Sequence, residues 1–213
     1  MERRAEIATL VRSENERLAA VLDGLDDAAW RTPSLCPGWT VRDVVVHLLM
    51  PYRLSIPGFL LGMLRHRFDF DRLARHWAVD DTRSPEQARA DLRSTADERF
   101  NVPGAPPEAP LSHLTIHTQD VVRPLGLTLP TEPRAAEIVL EQLTGPRFTY
   151  LSEDTRAGLT WTATDSGWQH GGGPEVRGTG TALLTVLGGR SVALDELDGP
   201  GLPELRRRLS STG

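Results

Sequence analysis

Six histidines, His47, His66, His76, His113, His117 and His170, are the side chains of this sequence best suited to chemistry, and two of them stand together in His113-Leu114-Thr115-Ile116-His117. Within a predicted helix, a four-residue spacing puts both imidazoles on one face, one turn apart, which is how a helix offers two nitrogens to one metal ion. A third ligand must come from another helix, and His47 is the candidate because it lies in the most apolar stretch, Val44 to Met50. Asp43, one turn before His47, and Asp120, three residues after His117, are placed to accept the other ring N–H and so orient the imidazoles. Leu114 occupies the position of the glutamate in the zincin protease motif, so metallopeptidase chemistry of that type is not supported. Residue chemistry alone leaves a second reading open, in which His47 is a satisfied core histidine and the pair is a polar helix face.

The other reactive residues read more plainly. Cys36 is the single cysteine, which forbids an internal disulfide and a cysteine-rich zinc site. It lies in a Pro/Gly turn eleven residues before His47 and reads as a structural thiol where a helix begins, with Trp39 as a packing anchor. His170-Gly171-Gly172-Gly173 lacks the Lys-Ser/Thr of a phosphate loop and reads as a hairpin connection. His66 and His76 sit among Arg and Asp and read as solvated, and Arg206-Arg207-Arg208 reads as a basic last helical turn.

The elements that must position these residues follow from periodicity. Apolar residues recur at three and four over residues 5–25, which predicts a long amphipathic helix. Pro33 to Gly38 breaks the pattern, and Thr40 is the expected N-cap of a buried helix through His47 and Met50. Pro51 and Pro57 predict a kink or break, then a second helical piece ending near Arg67. Ser84-Pro85-Glu86 opens a helix to about Phe100, residues 101–110 form a proline-rich loop, and a helix from Pro110 carries the histidine pair before Pro124 and Gly126 stop it. A further helix spans residues 132–143. After Tyr150 the texture changes. Leu159-Thr160-Trp161-Thr162-Ala163-Thr164 alternates with period two, Asp165-Ser166-Gly167 supplies a turn, Val176 to Gly180 reads as another strand, and helices follow over residues 181–187 and 202–209. The expected fold is α+β, with an up-and-down helical bundle over residues 1–150 and a small α+β domain over residues 151–213.

Composition bounds the function. The 213 residues carry 24 Lys+Arg against 29 Asp+Glu, a net charge of −5, which gives no electrostatic footprint for nucleic acid. No stretch is long and apolar enough for a membrane span, and the charged N-terminal pattern is unlike a secretion signal, so a cytoplasmic protein is expected. Every basic residue is Arg and none is Lys. Lys serves as well on a solvated face, so this bias points to a GC-rich genome and not to mechanism.

Three segments carry a family resemblance. Leu35-Cys36-Pro37-Gly38-Trp39-Thr40-Val41-Arg42-Asp43 through His47-Leu48 resembles the signature opening the second helix of the mycothiol-dependent maleylpyruvate isomerase family, within the DinB/YfiT-like four-helix-bundle metalloenzymes. Residues 111–126, with His113, His117, Asp120, Arg123, Pro124, Leu125 and Gly126, resemble its later helix. Residues 159–190, with Asp165, Gly167, Trp168, Val176-Arg177-Gly178 and Gly189-Arg190, are similar to its small C-terminal domain, related in shape to sterol carrier proteins.

The resemblance implies that His47, His113 and His117 are metal ligands, with zinc as the metal and mycothiol as the thiol cofactor. The isomerase carries Glu where this chain has His113; the all-His set is one unit more positive and makes a bound water or thiol more acidic. The family's active C-terminal arginine falls on Arg190, with Arg177 as the alternative. The implied partners are a small-molecule thiol and a small electrophile, handled by a monomer or homodimer from an actinobacterial source. The implied reaction is thiolate addition, ending in isomerisation or an S-conjugate. The rival readings are a metal-dependent hydrolase and a non-catalytic metal- or ligand-binding module.

Overall fold

The computed structural model describes residues 2–98, 100, 102–147 and 149–211. The chain separates into two compact units, Met1–Leu129 and Pro130–Gly213. In the first, α1 (Glu2–Asp23) buries Ile7, Leu10, Val11, Leu18 and Leu22, the apolar positions whose spacing predicts it. A single turn, α2 (Asp27–Trp30), leads to α3 (Val41–Arg53), and α4 (Ile56–Arg65), α5 (Phe70–Val79), α6 (Pro85–Ser94) and α7 (Ala109–Val122) complete the unit. Contacts run from α1 to α7, α7 to α3, α3 to α6 and α6 back to α1, which closes a four-helix bundle.

Local chemistry sets the helix ends. Thr40 caps α3, its hydroxyl accepting from the Asp43 N–H while the Asp43 carboxylate accepts from the Thr40 N–H, a reciprocal capping box. Pro51 lies inside α3, which continues to Arg53 before breaking, so Pro51 removes the N–H that would otherwise bond to the His47 carbonyl. The helix opened by Ser84 stops at Ser94, short of Phe100. There the Asn15 amide of α1 takes the Leu92 carbonyl at 2.9 Å and the Thr95 hydroxyl takes it at 2.7 Å, leaving one 3-10 turn, Thr95–Asp97. Arg99 and Asn101, where expected helix and loop meet, lie outside the described residues. Helix α5 has only Leu73, Ala74 and Ala78 buried, too few to give its sequence a periodic signal.

In the second unit, α8 (Pro133–Thr144) packs on α10 (Gly180–Leu187). A Cβ at Gly180 would stand 2.8 Å from that of Ala136, so the small residue permits the close approach. Residues 130–150, read from the sequence as the end of the bundle domain, therefore group with the C-terminal unit, because the apolar face of α8 meets α10. Strand β1 (Thr160–Ala163) pairs antiparallel with β2 (Gln169–Gly171) across the expected turn and parallel with β3 (Glu175–Gly178), in the order β2-β1-β3. Asp165 accepts the Gly180 N–H at 2.8 Å, tying the turn to the start of α10. One-turn α9 (Glu153–Arg156) precedes the sheet, and α11 (Leu202–Ser210) follows it. The architecture is α+β, as expected. Among the described residues no helix is long and apolar enough to cross a membrane.

Candidate metal centre

Helices α3 and α7 bring His47, His113 and His117 together. Each pair of rings has its centroids 4.9 Å apart, with interplanar angles of 66°, 88° and 83°. The result is a triangle of edge-to-face imidazoles. Nε2 of His113 stands 3.2 Å from Nε2 of His47, and one ring nitrogen from each of the three lies within 4.8 Å of the others. Two nitrogens bound at about 2.0–2.1 Å to a tetrahedral zinc stand about 3.3 Å apart, so this donor set fits such an ion with little movement. His47 is 6% and His117 is 8% exposed, which leaves the nitrogens little access to bulk water. Burial, and then the neighbouring His117 and His47, hold the His113 pKa well below its ordinary value, so this imidazole is neutral and keeps a lone pair to donate.

Asp120 fixes one corner of the triangle. Its carboxylate is fully buried and accepts from His117 Nδ1 at 2.8 Å, which leaves Nε2 as the unprotonated nitrogen of that ring. The same carboxylate oxygen accepts from the Cys36 thiol at 3.2 Å, and the Leu35 N–H donates to the Asp120 carbonyl at 3.3 Å. The Cys36-Pro37-Gly38 turn is thereby stitched to α7, with Gly38 at φ 75° where only glycine turns easily. Trp39, leaving that turn, sets its ring edge to face against His47 at 4.9 Å.

Asp43 has a different task from the one its spacing suggested. Its Oδ2 accepts from the Thr40 backbone and hydroxyl, at 2.9 and 2.8 Å, and its Oδ1 accepts from Arg42 at 3.3 Å. An Asp at the third position of a helix beginning at Val41 meets the unsatisfied N-terminal donors before it can reach a side chain a turn later. Asp43 thus fixes α3, and through it the position of His47, without serving as that ring's hydrogen-bond partner.

The two arginines lie in the C-terminal unit. Arg177 is bound to Asp198 through its guanidinium and through a two-way backbone bridge at 2.9 Å, which makes it a strut at the edge of β3. Arg190 lies 5.5 Å from the centre of the Tyr150 ring and donates to the Gly188 carbonyl. Two aromatic residues at the histidines were not singled out as site residues from the sequence. Trp39 was read as packing alone, and Phe100, 5.9 Å from His113, follows a proline-poor stretch with no motif to mark it. The adjacency of Cys36 and Trp39 to a helix bearing a buried histidine was the available signal for the first of them.

The sequence model of the mycothiol maleylpyruvate isomerase N-terminal domain matches residues 11–131, more than half of the chain and all three histidines. The chain belongs to this family. Two crystal structures of the mycothiol-dependent maleylpyruvate isomerase, one of a histidine-to-alanine mutant, are similar over 92% of this chain and 92% of theirs, with TM-scores of 0.60 and 0.59. Identity to both is 14%, so this likeness concerns the fold. No curated protein sequence matches the chain. The matched residues take in the capped α3, the histidine pair of α7 and the turn that joins them.

Proposed function

We propose that this chain is a mycothiol-dependent enzyme of the maleylpyruvate isomerase type, holding one divalent metal, zinc, through His47, His113 and His117. The convergence of three imidazoles, with one ring nitrogen of each within 4.8 Å of the others, carries the reading, supported by the family match. A zinc ion bound there supplies a Lewis acid that favours the thiolate form of a thiol near neutral pH. The protein's own part is positional. Asp120 holds the proton on His117 Nδ1 and keeps Nε2 turned to the cluster, α7 holds His113 one turn away, and Trp39 backs His47.

The electrophile then receives the sulfur, and departure of the thiol gives isomerisation while retention gives an S-conjugate. Hydrolysis is the weaker reading, because Leu114, 4% exposed, stands between the paired histidines where a general base would be needed to steer water. Arg190 is the arginine we assign to an anionic group of a reactant, since Arg177 is committed to Asp198. A cytoplasmic, actinobacterial setting supplies the reduced thiol and fits the Lys-free composition.

The test supplies metal-loaded protein with maleylpyruvate and a panel of small electrophiles, with and without mycothiol. Turnover that requires mycothiol is expected. Rapid thiol-independent cleavage of esters or amides would establish the hydrolase instead, and inactivity of fully metallated protein would leave a binding module.

A further inference from the structure

Helix α4 buries none of its ten residues, although Arg65 is the single polar side chain among them. Its inner side packs, through Phe59 and Met63, on the cluster of Met50, Leu73 and Ala74, against which Trp39 also lies. Its outer side carries Ile56, Leu60, Leu61 and Leu64, which fall within about 140° of arc at 100° per residue. These four are 50% to 62% exposed, and Phe68, just past the helix, is 73% exposed. Arg67 and Phe68 both hold left-handed backbone, φ 57° and 63°, a conformation rare for bulky residues that here leaves an aromatic ring in solvent.

Area and charge together select what covers this face. The five side chains present roughly 600 Å2 of apolar surface, the upper end of what the largest patch of a monomer exposes. Pro57 and the stems of Arg65 and Arg67 bring the face near the ~800 Å2 that each partner gives to a standard protein interface. Between residues 65 and 80, Arg65, Arg67, Arg72 and Arg75 are nearly matched by Asp69, Asp71 and Asp80, and the whole chain carries −5. An anionic lipid surface is recognised by clusters of ~4–8 basic residues without such compensation, so charge disfavours a membrane. A second copy meets no such objection. With a two-fold axis crossing α4 near Leu60, the two helices run antiparallel, and the arginine-bearing ends lie about 15 Å apart, one helix length and more than a Debye length.

We infer that the outer face of α4 is a dimer interface, and that its occupant is the same face of a second copy of this chain. Leu60 and Leu61 lie at the axis, Leu64 of one copy packs against Ile56 of the partner subunit, and Phe68 extends the contact past each helix end. Such a contact is isologous, so it closes at two copies and leaves no apolar face to recruit a third. Removal of the five side chains from water is its main favourable contribution. The pairing is independent of the chemistry proposed at the metal centre, and its test needs no turnover.

Sedimentation equilibrium of the full chain, at about 100 μM and so above the micromolar limit of standard-size interfaces, measures the mass. Twice the 23.5 kDa of one chain is expected. The double variant Leu60→Asp, Leu64→Asp should sediment as a single chain with unchanged helical circular dichroism, because both side chains are already more than half exposed. The milder Leu64→Gln should weaken association about tenfold or more, which keeps the test valid even if the double variant fails to fold. Val192→Asp, at a similarly exposed apolar residue of the second unit, should stay dimeric. A single-chain mass for the wild type, or a dimer unmoved by the leucine variants, would overturn the inference. So would flotation of single wild-type chains with phosphatidylglycerol vesicles, which would give the face to a membrane.

Discussion

Asp120 Oδ2 lies 2.8 Å from His117 Nδ1 and 3.2 Å from the Cys36 thiol, so one fully buried oxygen serves a cluster imidazole and the turn before α3 together. The carboxylate is therefore what decides which nitrogen of His117 faces the cluster. Asp120→Asn should lower metal affinity roughly 10- to 100-fold, the usual cost of removing the partner of a metal-binding imidazole. Competition with a chromogenic chelator measures this, and wild-type affinity in the variant would count against the assignment. Cys36→Ala should have a smaller effect, because a thiol is a weak donor.

Asp43 separates positioning by backbone from positioning by hydrogen bond. Since its carboxylate closes the capping box with Thr40, Asp43→Ala should cost about 1 kcal/mol of stability and leave metal affinity nearly unchanged. Urea denaturation of the metal-free protein reads the first, and chelator competition reads the second. A loss of metal affinity as large as that of Asp120→Asn would restore the orienting role that the spacing suggested.

The metal-free protein should weaken in acid. His113 resists protonation when folded, chiefly through burial, whereas in the unfolded chain it titrates near its ordinary 6.5. As pH falls through 6.5 the unfolded state takes up a proton that the folded state refuses, so stability present above that pH is lost below it. Tm should drop between pH 7.5 and pH 5.5, and the drop should be smaller in His113→Gln. An equal drop in both proteins would show that other groups govern it.

Arg190 and Arg177 make a paired comparison. Arg177→Gln removes a guanidinium already bound to Asp198 and should lower stability with little effect on kcat/KM of the mycothiol-dependent reaction. Arg190→Gln should reduce kcat/KM while metal content stays intact. Loss of metal in that variant, or a larger activity loss at Arg177, would reverse the assignment.

Sequence legibility tracked how local the physics was. The helix of residues 5–25, the Thr40 cap and the α7 histidine pair were readable because each depends on spacing of a few residues within one element. The end of α6 was not, since it is decided by Asn15, 77 residues away from the carbonyl it captures. Asp43 was misread because one spacing serves two hydrogen bonds, to a helix start and to a side chain, and only geometry chooses between them. Phe100 was invisible because its place beside the His113 ring is a contact between residues 13 apart in the chain, which no local spacing marks. The grouping of α8 with the C-terminal unit likewise depends on a contact between Ala136 and Gly180, far apart in the chain.

Metal content of the purified chain and of His47→Ala, measured by elemental analysis, tests the central claim most directly. The wild type should hold about one divalent ion per chain, and the variant should lose it to dialysis against a mild chelator, because two imidazoles of α7 alone leave a tetrahedral ion short of the three protein ligands it needs. Full metal occupancy retained by His47→Ala, or a wild type that binds no divalent ion after reconstitution, would contradict the account.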